Sequence, residues 1–155
     1  MSNDLAADLQ LIEHPEGGYY REYYRSDTMI DTLRGKRSAS TAIYFLLPAN
    51  QVSHLHRITS DEVWCWHSGG LITLHLISNS GGRSDHVLGP PEQGGTYAYV
   101  VPANTWFGAT TNGNDTLVSA FVAPGFDFAD FELGSRSNLL EQFPQHATLV
   151  TTLTV

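Results

Sequence analysis

Apolar and polar residues alternate in short runs along most of the chain, and each run is closed by Gly, Pro, Asn or Asp. A period of two bounded by turn residues predicts β-strands. The first run, YYREYYRS at 19–26, alternates Tyr19, Arg21, Tyr23 and Arg25 on one face. STAIYFLL (40–47), VSHLHRI (52–58), EVWCWH (62–67) and LITLHLIS (71–78) follow, then TYAYVVP (96–102), TWFGATT (105–111) and TLVSAFVA (116–123). Pro48-Ala49-Asn50, Ser60-Asp61, Gly69-Gly70 and residues 79–82 separate the earlier runs, and Asn112-Gly113-Asn114-Asp115 predicts a hairpin turn. FDFADFEL, after Pro124-Gly125, is expected to extend a strand.

Helical spacing is confined to the ends. Leu5, Leu9 and Ile12 predict a short helix from Asn3 or Asp4, one of which caps it, to about Glu13, where HPEGG breaks it. Ser135 is an N-cap candidate for a second helix carrying Leu139, Leu140 and Phe143 and ended by Pro144. The expected fold is therefore an all-β barrel or sandwich with short N- and C-terminal helices.

At 155 residues, 41% of them apolar and 15% charged, the chain is expected to form one domain over 1–155. A net charge of −8, with Lys36 the only lysine, argues against a nucleic-acid partner. Arg34, Lys36 and Arg37 read as a solvated loop. The N-terminal residues carry acids and no continuous apolar run, unlike a secretory signal. The stretch AIYFLLPA is too short to cross a bilayer, and Cys65 has no intrachain disulfide partner. These features lead to the expectation of a soluble, cytoplasmic protein without membrane association.

The candidate chemistry lies in SHLHRITSDEVWCWHSGG, residues 53–70. On a regular strand His54 and His56 project side by side, and Glu62 can join them from the next strand. Two imidazoles and a carboxylate with open positions suit a divalent metal such as Fe, Mn, Ni or Zn. The plainer alternative is a chance pairing in a chain with seven histidines. His14 and His146 are expected in loops and His67 and His86 beside turns, while His75, mid-strand, either faces the cavity or, as favoured, sits in the core. Trp64, Trp66 and Trp106 fill a core or, with Tyr44, wall a pocket for a small-molecule ligand. Cys65 falls on the face opposite Glu62, and neither a Ser-His-Asp grouping nor a glycine-rich phosphate loop is present. Which way Arg21, Arg25 and Arg57 point depends on register, since a one-residue slip reverses every side chain.

His54-x-His56, Glu62 and Gly69 resemble the first motif of the cupin superfamily, with five residues rather than three or four between His56 and Glu62. GTYAYVVPANTWF resembles the second motif through Gly95 and Pro102, but Asn104 stands where glycine is expected and Phe107 where the fourth-ligand histidine is expected. HPEGGYYREYYRS, HRITSDEVW, VVPANTWFGA and APGFDFADFELGSR, in that order, are similar to the DUF985 or cupin-5 branch. His56 and Glu62 match that branch, whereas His54 is an addition to it.

The resemblance implies a double-stranded β-helix, the RmlC-like jelly-roll barrel, assembled as a homodimer. Its pocket resembles those of sugar-nucleotide epimerases. Three functions stay open. One is an epimerase- or isomerase-like enzyme on a carbohydrate-like substrate, with His56 as base, Glu62 as its partner, and Tyr44, Trp64, Trp66, Trp106 and Phe107 around the pocket. The second is a metal enzyme using His54, His56 and Glu62, and the third a non-catalytic binding module. A second subunit is expected to cover the aromatic YYREYYR segment.

Overall fold

The computed structural model describes residues 2–155, with side chains from Asp4 onward. The elements run α1 (Ser2–Asp8), β1 (Ile12–Glu13), β2 (Tyr19–Arg25), β3 (Met29–Thr32), β4 (Gly35–Ser38), β5 (Thr41–Leu47), β6 (Ser53–Arg57) and β7 (Asp61–Gly69). They continue with β8 (Ile72–Ile77), β9 (Arg83–Leu88), β10 (Ala98–Val101), β11 (Trp106–Thr111), β12 (Thr116–Ala123), β13 (Glu132–Leu133), α2 (Arg136–Gln142) and α3 (Ala147–Thr152). Six strands form one sheet in the order β1-β2-β5-β12-β7-β10, and five form a second in the order β13-β6-β11-β8-β9. Every pairing between these strands is antiparallel. The two sheets enclose a jelly-roll barrel, the all-β architecture expected from the alternation.

Two apolar clusters hold it together. Inward-facing Phe45, Leu47, Trp64, Leu74, Phe107 and Val118 fill much of the barrel interior. Leu55, Ile77 and Trp106, on the outer face of the five-stranded sheet, are covered by Leu139, Phe143, Val150 and Leu153 of the C-terminal helical segment. Leu139 and Phe143 are the residues that the helical spacing singled out. Pro144 ends α2 but leads into a 3-10 turn and a further helix, α3, which the sequence reading did not anticipate.

Local departures have identifiable causes. The N-terminal helix stops at Asp8 because Gln10 takes a left-handed backbone (φ 56°), with Leu11 N–H donating to Ala6 O in a Schellman-type ending. Ile12 and Glu13 then pair with Tyr20 and Tyr19 as β1. Asp4 lies in the first turn of α1 rather than ahead of it, and the Asn3 cap falls outside the described side chains. The basic segment expected as a loop is the β3–β4 hairpin, tied at Lys36 to Asp31 by a 2.9 Å ion pair. FDFADFEL does not extend β12. It forms a 3-10 turn over Phe128–Asp130, started by Asp127 accepting from the Ala129 N–H, before the two-residue β13. Ser135 occupies the expected cap position of α2, but its hydroxyl bonds Ser137 instead of the helix backbone.

Three strands carry an extra residue relative to their partners. Between Glu22 and Tyr24 on β2 the register against β5 shifts by one. Between Ser53 and His56 on β6 it shifts against β11, and between Trp66 and Ser68 on β7 it shifts against β12. Each bulge reverses the inside–outside alternation beyond it. The first two shape the cavity.

Candidate functional site

A cavity of about 480 Å³ opens at one end of the barrel. Its walls come from Tyr20, Glu22 and Arg25 of β2, Thr41, Ile43 and Phe45 of β5, His56 of β6, Glu62 and Trp64 of β7, and Ala120 and Val122 of β12. Two loops close it: His14 and Glu16 before β2, and Phe126, Asp127, Phe128 and Phe131 after β12. Phe126 and Phe128 meet edge to face at 4.9 Å, and the His56 and Phe131 rings stack at 5.6 Å.

Glu16 is the centre of the polar network. Gly17 and Gly18 both have positive φ, 101° and 74°, and a Cβ on Gly17 would stand 2.3 Å from Val52 O. Only glycine allows the chain to turn there so tightly, and the turn drives the Glu16 side chain into the barrel. Its Oε1 accepts from the Ser53 hydroxyl at 2.8 Å, and its Oε2 lies 3.1 Å from His56 Nε2. Ser53 and His56 are three residues apart, so a regular strand would point them to opposite faces. The β6 bulge brings both to one carboxyl.

The tautomers follow from the partners. His56 Nδ1 lies 2.7 Å from the His54 carbonyl, which can only accept, so Nδ1 carries the hydrogen. Nε2 is then an acceptor, and the proton between it and Glu16 sits on the carboxyl. Burial acts in the same direction on both groups. Desolvation raises Glu16 well above its ordinary range, helped by the neighbouring Glu62 and opposed by Ser53. It lowers His56 to about 3. Ser53, Glu16 and His56 thus form an uncharged, hydrogen-bonded chain. His14 Nδ1 accepts from the Glu16 N–H at 3.1 Å, leaving Nε2–H as its donor, and burial holds its pKa near 4.

Glu62 differs from Glu16. Its residue is only 7% exposed, yet among the described residues no Arg, Lys or His pairs with its carboxyl. Desolvation raises its pKa to about 7, with Trp64 beside it opposing the shift. The Trp64 Nε1–H is nevertheless buried without a partner in hydrogen-bonding geometry.

Of the residues assigned to the site from the sequence, His56, Glu62 and Trp64 line the cavity, whereas His54, Tyr44, Trp66, Trp106 and Phe107 do not. His54 does not project beside His56. The bulge turns it aside, and its Nδ1 bonds the Glu16 carbonyl at 2.8 Å. The expected His54–His56–Glu62 metal set is therefore not assembled, and among the described residues no three His, Cys, Asp or Glu are placed to hold a metal ion. Phe107 lies behind the cavity wall, 4.2 Å from the His56 ring. Trp106, its neighbour, faces the C-terminal helices and lies under the Arg57 guanidinium at 4.5 Å. Trp66 packs against the interior with its Nε1 on Gly70 O. Tyr44 faces outward against Tyr23 at 4.3 Å.

His75 is not in the core either. It is held on the outer face of the five-stranded sheet by Asp85 and Thr110, at 3.0 and 2.9 Å. Arg25 reaches the cavity because of the β2 bulge, whereas Arg21 stays outside over Tyr44. The sequence reading placed His14 in a loop and used Glu16 only as part of a helix-breaking turn. The signal available for both was an acid and an imidazole fixed beside two consecutive glycines.

Residues 3–134 match the model of the cupin superfamily (DUF985) family. The uncharacterized protein YML079W of Saccharomyces cerevisiae is 28% identical over 143 residues, covering 81% of this chain and 71% of its own length. Among solved structures, protein SO0799 from Shewanella oneidensis is 40% identical with a TM-score of 0.92, covering 99% of this chain and 96% of that one. A hypothetical protein from Leishmania major is 35% identical with the same TM-score, 0.92, covering 98% and 97%. Oxalate decarboxylase from Bacillus subtilis, at 12% identity and a TM-score of 0.60 over 95% of this chain and 37% of that one, shares the fold alone. With its jelly-roll barrel and a family match over nearly its whole length, the chain belongs to the DUF985 family of the cupin superfamily.

Proposed function

We propose that this cupin is an isomerase- or epimerase-like enzyme that moves a proton on a carbohydrate-like polar substrate, with Glu62 as its acid–base group. One observation carries the reading: Glu62 is a buried carboxyl in the cavity wall that no described residue pairs with as a cation. Such a group can both take and return a proton near neutral pH. Glu62 would remove the proton from the carbon next to a carbonyl, and the electron pair would move onto the carbonyl oxygen. The His14 Nε2–H, a neutral imidazole donor, would hydrogen-bond that oxygen as its charge grows. Returning the proton to the opposite face of the same carbon gives the epimer; returning it to the former carbonyl carbon, while the proton of the neighbouring hydroxyl passes to the first oxygen, gives the isomer.

His56 has a different part from the one first assigned to it. Both of its ring nitrogens are engaged, by His54 O and by Glu16, so it positions Glu16 and the loop carrying His14 rather than acting as the base. The test is solvent exchange. The protein is incubated in D2O with a panel of α-hydroxy aldehydes and ketones, and the C–H signal next to the carbonyl is followed by NMR. Exchange that Glu62→Gln slows by about 10²-fold or more supports the proposal. Exchange unchanged in that variant refutes Glu62 as the base. A bound panel member that never exchanges makes the cavity a binding site only.

We also propose a homodimer. Tyr23 and Phe121 are exposed together on the outer face of the six-stranded sheet, 6.4 Å apart, and β1 pairs only with the Tyr19–Tyr20 end of β2. An aromatic face beside an unpaired edge favours a second subunit. Sedimentation showing only monomer at micromolar concentration would contradict it.

A further inference from the structure

The β2 bulge has a second consequence at the mouth of the cavity. Glu22 and Arg25, three residues apart, both line its rim on the cavity side, where they stay partly exposed. Arg25 donates Nε and Nη2 to the Glu22 carboxylate at 2.7 and 2.9 Å, and Nη2 also to Phe126 O at 2.9 Å. The forked guanidinium is the group best suited to grip a phosphate or carboxylate through two parallel hydrogen bonds. Here its fork is already filled by an acid of the same strand.

The neighbouring Arg37 is engaged as well. Arg37 holds Asp130 through two bonds of 2.8 and 2.9 Å, and Arg34 stands 4.0 Å from the same carboxylate. Deeper in, burial keeps His14 and His56 uncharged, and Glu62 has no cation beside it among the described residues. Among the described residues that line the cavity, an anionic ligand would find carboxylates and no free guanidinium fork, an arrangement that repels it. Hydroxyl and carbonyl groups meet no such obstacle, because the Glu62 carboxyl and the His14 Nε2–H can bond them while aromatic rings cover an apolar face.

We infer that this cavity takes a substrate without an anionic group, and that Glu22 enforces the choice by occupying Arg25. Sugar phosphates, nucleotide sugars and uronates are thereby excluded, leaving uncharged hydroxy-carbonyl compounds as the substrate class. This rests on reading the cavity as the substrate site of the proposed enzyme.

Inorganic phosphate is the probe. Binding is followed through backbone amide shifts of Thr41 and Phe126 in 15N-labelled protein, with thermal unfolding confirming that each variant folds. The native protein is expected to show no saturable shift at millimolar phosphate. Glu22→Gln frees the Arg25 fork and is expected to bind phosphate at least about tenfold more tightly than the native protein, on the scale of one charge-assisted bidentate pair. Glu22→Ala should do the same, and Glu22→Gln with Arg25→Ala should lose the gain. Phosphate saturating the native cavity, or a folded Glu22 variant that gains nothing, overturns the inference. No turnover is read, so failure here leaves the exchange chemistry of Glu62 standing, and failure of that chemistry leaves this selectivity standing.

Discussion

Replacing Glu16 separates two descriptions of the network around it. In the uncharged chain Glu16 is a carboxylic acid: Oε1 accepts from Ser53 and Oε2–H donates to His56 Nε2. Glutamine reproduces that pattern, its amide oxygen accepting from Ser53 and its N–H donating to His56. Glu16→Gln is therefore expected to cost under about 1 kcal/mol, the scale of a slightly altered hydrogen bond. Glu16→Ala strands two groups that are almost completely buried, Ser53 at 0% and His56 at 1% exposure. Each buried polar group left without a partner costs about 1–3 kcal/mol, so the alanine variant should lose on the order of 4 kcal/mol. Were Glu16 and His56 an ion pair instead, Glu16→Gln would strand a buried imidazolium and cost about 3–5 kcal/mol, close to the alanine value. Urea unfolding of the three proteins at one pH near neutrality measures both differences. A glutamine variant as unstable as the alanine variant would refute the uncharged chain.

The remaining expectations come from the same side chains. His14 and His56, lowered from 6.5 to about 4 and about 3, make the folded state bind fewer protons than the unfolded chain as pH falls below 6.5, which destabilises it. Glu62, raised from 4.5 to about 7, and Glu16, raised in the same direction, make it bind more, so their contribution is complete below 4.5 and is lost as pH rises. The slopes oppose between about 4.5 and 6.5, where urea unfolding free energies should be nearly flat and then decline on either side; a steep trend inside that window would contradict the assignments. Proton exchange on a substrate should rise with pH through about 7 as Glu62 ionises, and a rate already level at pH 5 would point to another base. His54→Ala should cost about 1 kcal/mol for its bond to Glu16 O and leave exchange unchanged, so an exchange defect equal to that of Glu62→Gln would restore His54 to the site.

The strand positions were legible because each is a local property. Alternation and turn residues mark β5, β7, β8, β11 and β12 within a residue or two of their observed bounds. Asn104 shows how local such information is: at φ 61° it adopts the left-handed conformation in the motif position where glycine is expected, a conformation asparagine tolerates better than most residues. The β3–β4 hairpin escaped the reading because its residues, MIDT and GKRS, are exposed and polar enough to lack a strand's apolar face. β9, RSDHVL, was missed for the same reason.

The site was legible only in part, and the failures share one cause. Strict alternation through β2 and β6 holds only if both strands are regular. It puts Arg25 with Tyr23 and His54 with His56, whereas the extra residue in each strand puts Arg25 with Glu22 and Ser53 with His56. A bulge leaves little trace in composition, since it is fixed by pairing with a strand that is distant in sequence. β2 answers to β5 and β6 to β11, and neither partner announces the mismatch. The HPEGG turn was correctly read as a break, but what the break accomplishes depends on Val52 and Leu46 carbonyls lying within 3 Å of where side chains on Gly17 and Gly18 would begin. The β6 bulge and the double glycine direct polar groups into an apolar barrel, where burial costs more than exposure would unless partners are supplied, while the β2 bulge sets Glu22 and Arg25 at the exposed rim. Glu16 receives Ser53 and His56, and Arg25 receives Glu22. Glu62 is buried in the cavity wall without a charged partner among the described residues, which is why the function is assigned to it rather than to the more conspicuous histidine pair.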